Sequence, residues 1–370
     1  MAALAAVFPS DRFMHRPTLD FPHDESQEVR VDADSLRQLT VDLLVKATMF
    51  RFDAETAADR LVEADLRGIQ SHGTRALGRY LDAIEAGNID PRAKVLIETE
   101  TPALAVLDGG LGIGHVAATR GMETAIKKAK EVGTGTVAVK GSRHLGAASV
   151  YALMAVREGM IGYCTTSTGG ATVAAYGSRG PATANNAIAW AVPTREGPPF
   201  VLDMACGATS WGKLESFQLY GHALPDGLAL DADGNPTTDA SRTKTLLPAS
   251  GARGFGLAFL SSVLAGPLVG GKMPLHKTGA PLAERSEHFF YVLDVRQFGD
   301  EERFYGELNA TMAEIRSLPP ADGFDRVRFP GELEQEREDE YRRDGIPLHR
   351  DHAALLEERA VAAGLGVPWS

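Results

Sequence analysis

Only two cysteines occur in the 370 residues, Cys164 and Cys206, and neither lies in a metal-ligand spacing. That scarcity excludes a disulfide framework and a thiolate metal centre, suits a reducing cytoplasm, and leaves a metal-free site as the expectation. A basic excess is also missing: 38 Lys and Arg stand against 49 Asp and Glu, a formal net charge of -11. Nucleic acid and anionic membranes attract basic surfaces, so neither is an expected partner. The opening Met-Ala-Ala-Leu-Ala-Ala-Val-Phe has no basic start and is too short for a secretory signal. One uncharged run is long enough to question, residues 254–271, but its glycines and Pro267 would break a membrane span. It reads as a buried core helix followed by a turn.

Several nucleotide and hydrolase motifs are absent as well. The run from Gly109 to Gly114 follows a strand-like segment, yet it spells Gly-x-Gly-x-Gly and not Gly-x-Gly-x-x-Gly. No acidic residue ends a strand about 20 residues later, as a Rossmann loop requires. There is no phosphate loop of the Walker type and no serine in a Gly-x-Ser-x-Gly elbow.

What is present is a chain long enough for two or three domains, with ordinary globular composition, 44% apolar and 24% charged. Residues 1 to about 30 lack periodicity and read as an arm or disordered tail. Asp34 is placed to cap a helix with Leu36, Leu39, Leu43 and Leu44 on one face. A second helix starts near Asp53, and a third, Thr74 to Ala86, aligns Leu77, Tyr80, Leu81 and Ile84. From residue 103 short apolar strands alternate with helices stopped by Gly133 and Gly159, which implies a layered α/β core. Residues 221–240 read as an irregular excursion. A strand over 288–295, a helix from Glu301 to Arg316, a charged helix from Glu332 and a last amphipathic helix complete the chain.

Two histidines sit in small-residue loops, in Ser71-His72-Gly73 and in Ser142-Arg143-His144-Leu145-Gly146. Imidazole both gives and takes a proton near neutral pH, and an adjacent glycine admits backbone or substrate to the ring. One such histidine alone is more often structural than catalytic; two together favour proton transfer. His144 falls between a strand and a helix start, whose positive potential would keep the ring neutral.

Motifs in order along the chain carry a family resemblance. They are Ser71-His72-Gly73, Ser-Arg-His144-Leu-Gly-Ala, Phe200-Val-Leu-Asp203-Met204-Ala205, Trp211-Gly-Lys213, Leu247-Pro-Ala with Arg253-Gly254-Phe-Gly-Leu, Phe329-Pro-Gly331-Glu332, and Gly345-Ile-Pro-Leu348. After residue 30 the chain resembles the malate/L-lactate dehydrogenase family that lacks a Rossmann fold. The resemblance implies a three-layer α/β/α fold with a mixed sheet, plus a helical region built from both chain ends. Residues 31–100 would form a helical substrate and dimerisation region, 101–325 the cofactor-binding α/β domain, and 326–370 helices packing back on the N-terminal region. It further implies a homodimer with active sites near the interface, and hydride exchange between NAD or NADP and a 2-hydroxy acid/2-oxo acid pair. Within the resemblance His144 matches the catalytic acid/base, and Ser71 and His72 its substrate-side pair. Thr168, Asp203, Met204, Ala205, Arg253, Gly254, Gly331 and Glu332 match cofactor-binding positions. Asp203 suits a ribose or amide contact, or equally a helix cap; Arg253 suits a phosphate or carboxylate, or a surface salt bridge.

Two departures stand out. Where the family usually has a substrate-carboxylate arginine, this chain has Ala76, with arginines at 75 and 79. Arg75 is a substitute ligand, or it shares a solvated helix face with Arg79. The usual Gly-Thr-Asn-Pro is replaced by Ala184-Asn185-Asn186-Ala187, which retains the Asn186 amide for substrate. A cyclic imine carboxylate reductase is a second reading, weakened by Lys213 where some imine-reducing members have aspartate. A cofactor-binding protein without turnover is a third.

Overall fold

The structure, a computed structural model, describes residues 22–279 and 282–369. A 3-10 turn at Glu25–Gln27 leads into β1 (Glu28–Val31), then α1 (Ala33–Lys46), α2 (Arg51–Leu66) and α3 (Leu77–Glu85). The α/β part runs β2 (Leu96–Glu100), β3 (Leu104–Asp108), α4 (Gly114–Val132), β4 (Thr134–Ser142), α5 (Ser149–Val156) and β5 (Met160–Ser167). It continues with β6 (Ala187–Val192), β7 (Phe200–Ala205), α6 (Trp211–Leu219) and α7 (Ala252–Leu264). The last elements are β8 (Ser286–Asp294), α8 (Glu301–Arg316), α9 (Glu332–Asp344), β9 (Ile346–His349) and α10 (Arg350–Ala362).

Seven strands form the main sheet in the order β2-β3-β4-β8-β5-β6-β7. Only β3 and β4 pair in parallel, and every other neighbour is antiparallel, so the sheet is mixed and not doubly wound. Side chains alternate across it, as a two-residue period requires. Phe290, Val292, Cys164, Ala189 and Ala191 face α4 and α5, while Tyr163, Ile188 and Phe289 face Ala258 of α7. That makes three layers. Gly135 and Gly162 let the helices lie directly on the strands, because a Cβ would overlap the Ala125 and Ala152 carbonyls. Gly133, with φ 86°, ends α4 in the left-handed conformation that glycine accepts without penalty.

A second core gathers Leu36, Leu44, Leu61, Leu77, Tyr80, Ile346, Leu348 and Leu356. β1 and β9 pair antiparallel, Glu28 opposite His349 and Val31 opposite Ile346, which ties the two chain ends together. α10 contacts α1 and α3 across this core.

Four expectations are corrected here. The proposed arm falls mostly in residues 1–21, outside the described residues, but 25–31 are a turn and a paired strand. Asp32, not Asp34, caps α1: its backbone is extended and its carboxylate accepts the Ser35 N–H at 2.8 Å. The 221–240 excursion holds two short strands, Ala229–Leu230 and Pro236–Thr237, of a five-stranded sheet. The apolar run at 254–271 is not a buried core helix. Its helix ends at Leu264, and Leu257, Phe259 and Leu260 are 40%, 50% and 53% exposed.

Candidate active site

The first histidine loop lies between α2 and α3 and is pinned from below by Asp65. That buried carboxylate accepts the Thr74 N–H at 2.8 Å and the Thr74 hydroxyl at 2.6 Å, and burial pushes its carboxyl up to about 7. Gly73 and Gly212 are required by close approach: a Cβ at the first would overlap Asp65, and at the second Ser71. α6 therefore lies directly against Ser71. The second loop follows β4 and rests on α4, because Gly114 packs against the carbonyls of Arg143 and His144. The last glycine of the Gly-x-Gly-x-Gly run thus serves packing beneath His144, while Gly110 and Gly112 pack against Ala93.

The two loops bring His72 and His144 together, ring centroids 5.6 Å apart and tilted by 32°. Ser71 Oγ bonds His72 Nδ1 at 2.8 Å. The Tyr80 hydroxyl lies 2.7 Å from His144 Nδ1, and the Gly146 N–H donates to the same nitrogen at 3.3 Å. A backbone N–H can only donate, so Nδ1 is an acceptor and the neutral ring carries its proton on Nε2. Burial holds the Tyr80 phenol well above its ordinary pKa, so it too is protonated and donates. Neither Nε2 has a protein partner, and neither is sealed from solvent.

Burial also drives His144 well below the ordinary histidine pKa, helped by His72, His115 and Arg79, and lowers His72 to about 4. The neutral ring expected from sequence is therefore found, but not for the expected reason. α5 begins only at Ser149, and its first N–H is capped by Asp203.

The sequence-derived substrate contacts do not converge on the histidines. Residues 74–76 form a 3-10 turn, so Arg75 does not share a helical face with Arg79. Arg75 is half-buried and donates Nη2 to the Gly212 carbonyl at 2.9 Å and to Ser216 Oγ at 3.0 Å. It braces α6 through Nη2, while its Nε is buried without a partner, so it is not a solvated helix charge. Asn186 is 0% exposed; its amide donates to the Ala258 carbonyl at 2.9 Å and Ser262 Oγ at 2.7 Å. It ties β6 to α7 and has no surface for substrate.

The residues matched to cofactor are strung along β7, the edge strand. Asp203 is exposed there, one oxygen accepting the Ser149 N–H at 2.9 Å, so the cap reading is met. Gly331 packs on Val201 at the strand's start, where a Cβ would lie 2.6 Å from the Val201 Cβ. Gly254 packs on the Ala249 and Cys206 carbonyls at its end, and Arg253 is exposed beside it. The five steps from Val201 to Cys206 span about 16 Å at strand rise. Met204 packs toward Tyr163 and Ile188, while Ala205 ends the strand opposite Ala187. Thr168 bonds the Ser286 hydroxyl at 2.6 Å, and Glu332 pairs with Arg316 at 2.7 Å. Among the described residues no cluster of three or more His, Cys, Asp or Glu is placed to hold a metal.

Sequence reasoning missed Tyr80, which it placed on an apolar stripe, and His115, whose ring meets Tyr80 edge-on at 5.0 Å and 87°. The available signal was a phenol within an otherwise aliphatic stripe and a histidine directly after Gly114.

Comparison with known proteins fits this geometry. The malate/L-lactate dehydrogenase family profile matches residues 31–357. The malate dehydrogenase of Pyrococcus horikoshii is 36% identical over 348 residues, 91% of this chain and 96% of the relative. Its solved structure superposes with a TM-score of 0.85 at 34% identity, covering 93% of this chain and 98% of that one. The L-sulfolactate dehydrogenase of Methanocaldococcus jannaschii is 36% identical, covering 90% of this chain and 96% of the relative. The ureidoglycolate dehydrogenase (NAD(+)) of Escherichia coli K12 is 31% identical, covering 87% and 93%.

Proposed function

The chain belongs to the malate/L-lactate dehydrogenase family, and from that premise we propose that it interconverts a 2-hydroxy acid and its 2-oxo acid at the His72–His144 pair. The single observation that carries this reading is the pairing itself: two neutral imidazoles 5.6 Å apart, each with an open Nε2. A nicotinamide cofactor, when bound, supplies or takes up the hydride. Asp203 and Arg253 fit such a cofactor, because an exposed carboxylate and an exposed cation follow one strand, whose two ends Gly331 and Gly254 pack against. The carboxylate suits a ribose or carboxamide and the guanidinium a phosphate. NAD is the reading favoured by the name of the ureidoglycolate relative, with NADP as the other arm of the test.

The chain's own residues do the proton work. In the reducing direction His144 Nε2–H donates to the substrate oxygen, and the Tyr80 and Gly146 donors keep the ring turned that way. Ser71 and His72 hold the substrate on the opposite side. Fixing the reacting groups in attack geometry and supplying a donor where charge develops are the two sources of rate gain. In the oxidising direction the substrate hydroxyl proton returns to Nε2, while Nδ1 stays the acceptor of the Tyr80 and Gly146 donors.

The exposed face of α7 supports a homodimer. Leu257, Phe259 and Leu260 continue into Leu268 and Leu275, 59% and 62% exposed, an apolar surface of the kind that a second copy covers. Both cysteines are free and buried, which suits a reducing compartment. Turnover of a panel of 2-oxo acids and preformed cyclic imines with each nicotinamide cofactor tests the reading. Turnover of oxo acids supports it; turnover of imines alone, or cofactor binding without turnover, overturns it.

A further inference from the structure

An acid substrate at the histidine pair needs a cation, and most nearby arginines are already committed. Arg75 commits Nη2 to two acceptors on α6. Arg143 is 6% exposed and donates Nε to the Asn88 carbonyl at 2.6 Å. Ala76 is 3% exposed and belongs to the helical core, so nothing at that position reaches substrate.

Arg79 differs in its exposure and in the openness of its one ion pair. It lies in the first turn of α3, next to Tyr80, whose hydroxyl reaches His144. Its side chain is 51% exposed, and Nη1 meets Glu215 Oε1 of α6 at 2.8 Å, with Glu215 itself 44% exposed. An ion pair so open to water is held weakly, so another carboxylate displaces it at little cost. The pair spans the two elements that flank the first histidine loop, since α6 packs on Ser71 through Gly212 and α3 follows the loop directly. The Arg79 charge is also felt at the site. Among the charges acting on the His72 ring it is the strongest, and it acts on His144 and Tyr80 too.

We propose that Arg79 is the residue that binds the substrate carboxylate, and that Glu215 holds its guanidinium until the substrate acid displaces it. Arg79 then stands one helical turn beyond Ala76 and makes the contact that Ala76 lacks. The inference rests on the 2-oxo acid reading of the same site. It assigns acid specificity to an exchange between two carboxylates, one from the protein and one from the substrate.

The test is titration of oxalate, a planar 2-oxo acid mimic, into the enzyme–cofactor complex, with steady-state KM and kcat measured beside it. Arg79→Gln is expected to weaken oxalate binding and raise KM about 10- to 100-fold, the loss expected of a charge-assisted hydrogen bond, with kcat changed only a few-fold. Arg79→Lys restores part of the affinity. Glu215→Gln is expected to tighten oxalate binding, because the competing carboxylate is gone, and to have no effect in an Arg79→Gln background. Tightening by Glu215→Gln is a readout that a merely structural pair would not give, and it stands even if Arg79→Gln fails to fold. Wild-type oxalate affinity in Arg79→Gln, or weakened binding in Glu215→Gln, overturns the inference. Oxalate binding that depends on Arg79, in an enzyme that turns over no 2-oxo acid, overturns the proposed function and leaves the Arg79 assignment standing.

Discussion

The Tyr80 hydroxyl lies 2.7 Å from His144 Nδ1 and shares that nitrogen with the Gly146 N–H. A helix of the terminal-end core thereby sets the proton of a ring carried by the main sheet. Removing only the hydroxyl, in Tyr80→Phe, leaves the packing and frees the ring to turn. The expected loss in kcat is about 10-fold, the value of one hydrogen bond at the transition state, with cofactor affinity unchanged. Nitrogen NMR of labelled histidine should show the Nε2–H form of His144 in the wild type and a mixture of tautomers in the variant.

Asn186 gives the opposite profile, because both of its amide hydrogen bonds are to α7. Asn186→Ala leaves the Ala258 carbonyl and Ser262 Oγ without that donor, at a cost of about 1–3 kcal/mol in stability. Denaturant unfolding should register that loss while KM for the acid stays at its wild-type value. A raised KM in a variant of normal stability would place Asn186 at the substrate after all.

Acid should destabilise the fold well before carboxylates are exhausted. His72 at about 4, and His115, His288 and His352 at about 3, all lie below the ordinary histidine value of 6.5 because they are desolvated. Between those values the unfolded chain binds protons that the native chain refuses. Stability from these groups is therefore complete above about pH 6.5 and is lost as the pH falls toward 3. Asp65, raised to about 7, acts in the opposite sense, its native form holding a proton between 3.8 and 7. These four histidines and His144, lowered likewise, act against the raised carboxyls of Asp65, Asp53, Asp203 and Glu287 and leave a net fall in Tm from pH 7 to pH 5, measurable by thermal unfolding across buffers of equal ionic strength.

The apolar face of α7 predicts a concentration-dependent assembly. Phe259 is 50% exposed there, its ring tilted 54° against Phe255 of its own helix with centroids 6.5 Å apart. Phe259→Asp should convert a dimer to a monomer in light scattering, since a charge buried unpaired at an interface is costly. An unchanged mass would show that this face is not the contact.

Much of this architecture was legible in the chain. The helix from Glu301 to Arg316 has the bounds that its periodicity predicts, and Gly133 stops α4 where the pattern does. The histidine pair was legible because its glycines, Gly73 and Gly146, mark close approach. What could not be read was direction. The 3-10 turn at 74–76 rotates Arg75 off the helical face that its spacing implies, and a lone aspartate gives no sign whether a strand end or a helix start claims it. The exposure of α7 was equally hidden, because an apolar helix reads the same whether its own fold or a second copy covers it.

If His144 is the proton donor and acceptor of the reaction, its removal in His144→Ala abolishes that step. With the wild type's best 2-oxo acid and cofactor, turnover should fall by about 100- to 10,000-fold, the usual contribution of general acid–base catalysis. Cofactor affinity, measured by fluorescence titration, should stay within a few-fold, because the β7 residues that would hold it are untouched. Near-wild-type turnover in His144→Ala would contradict the account.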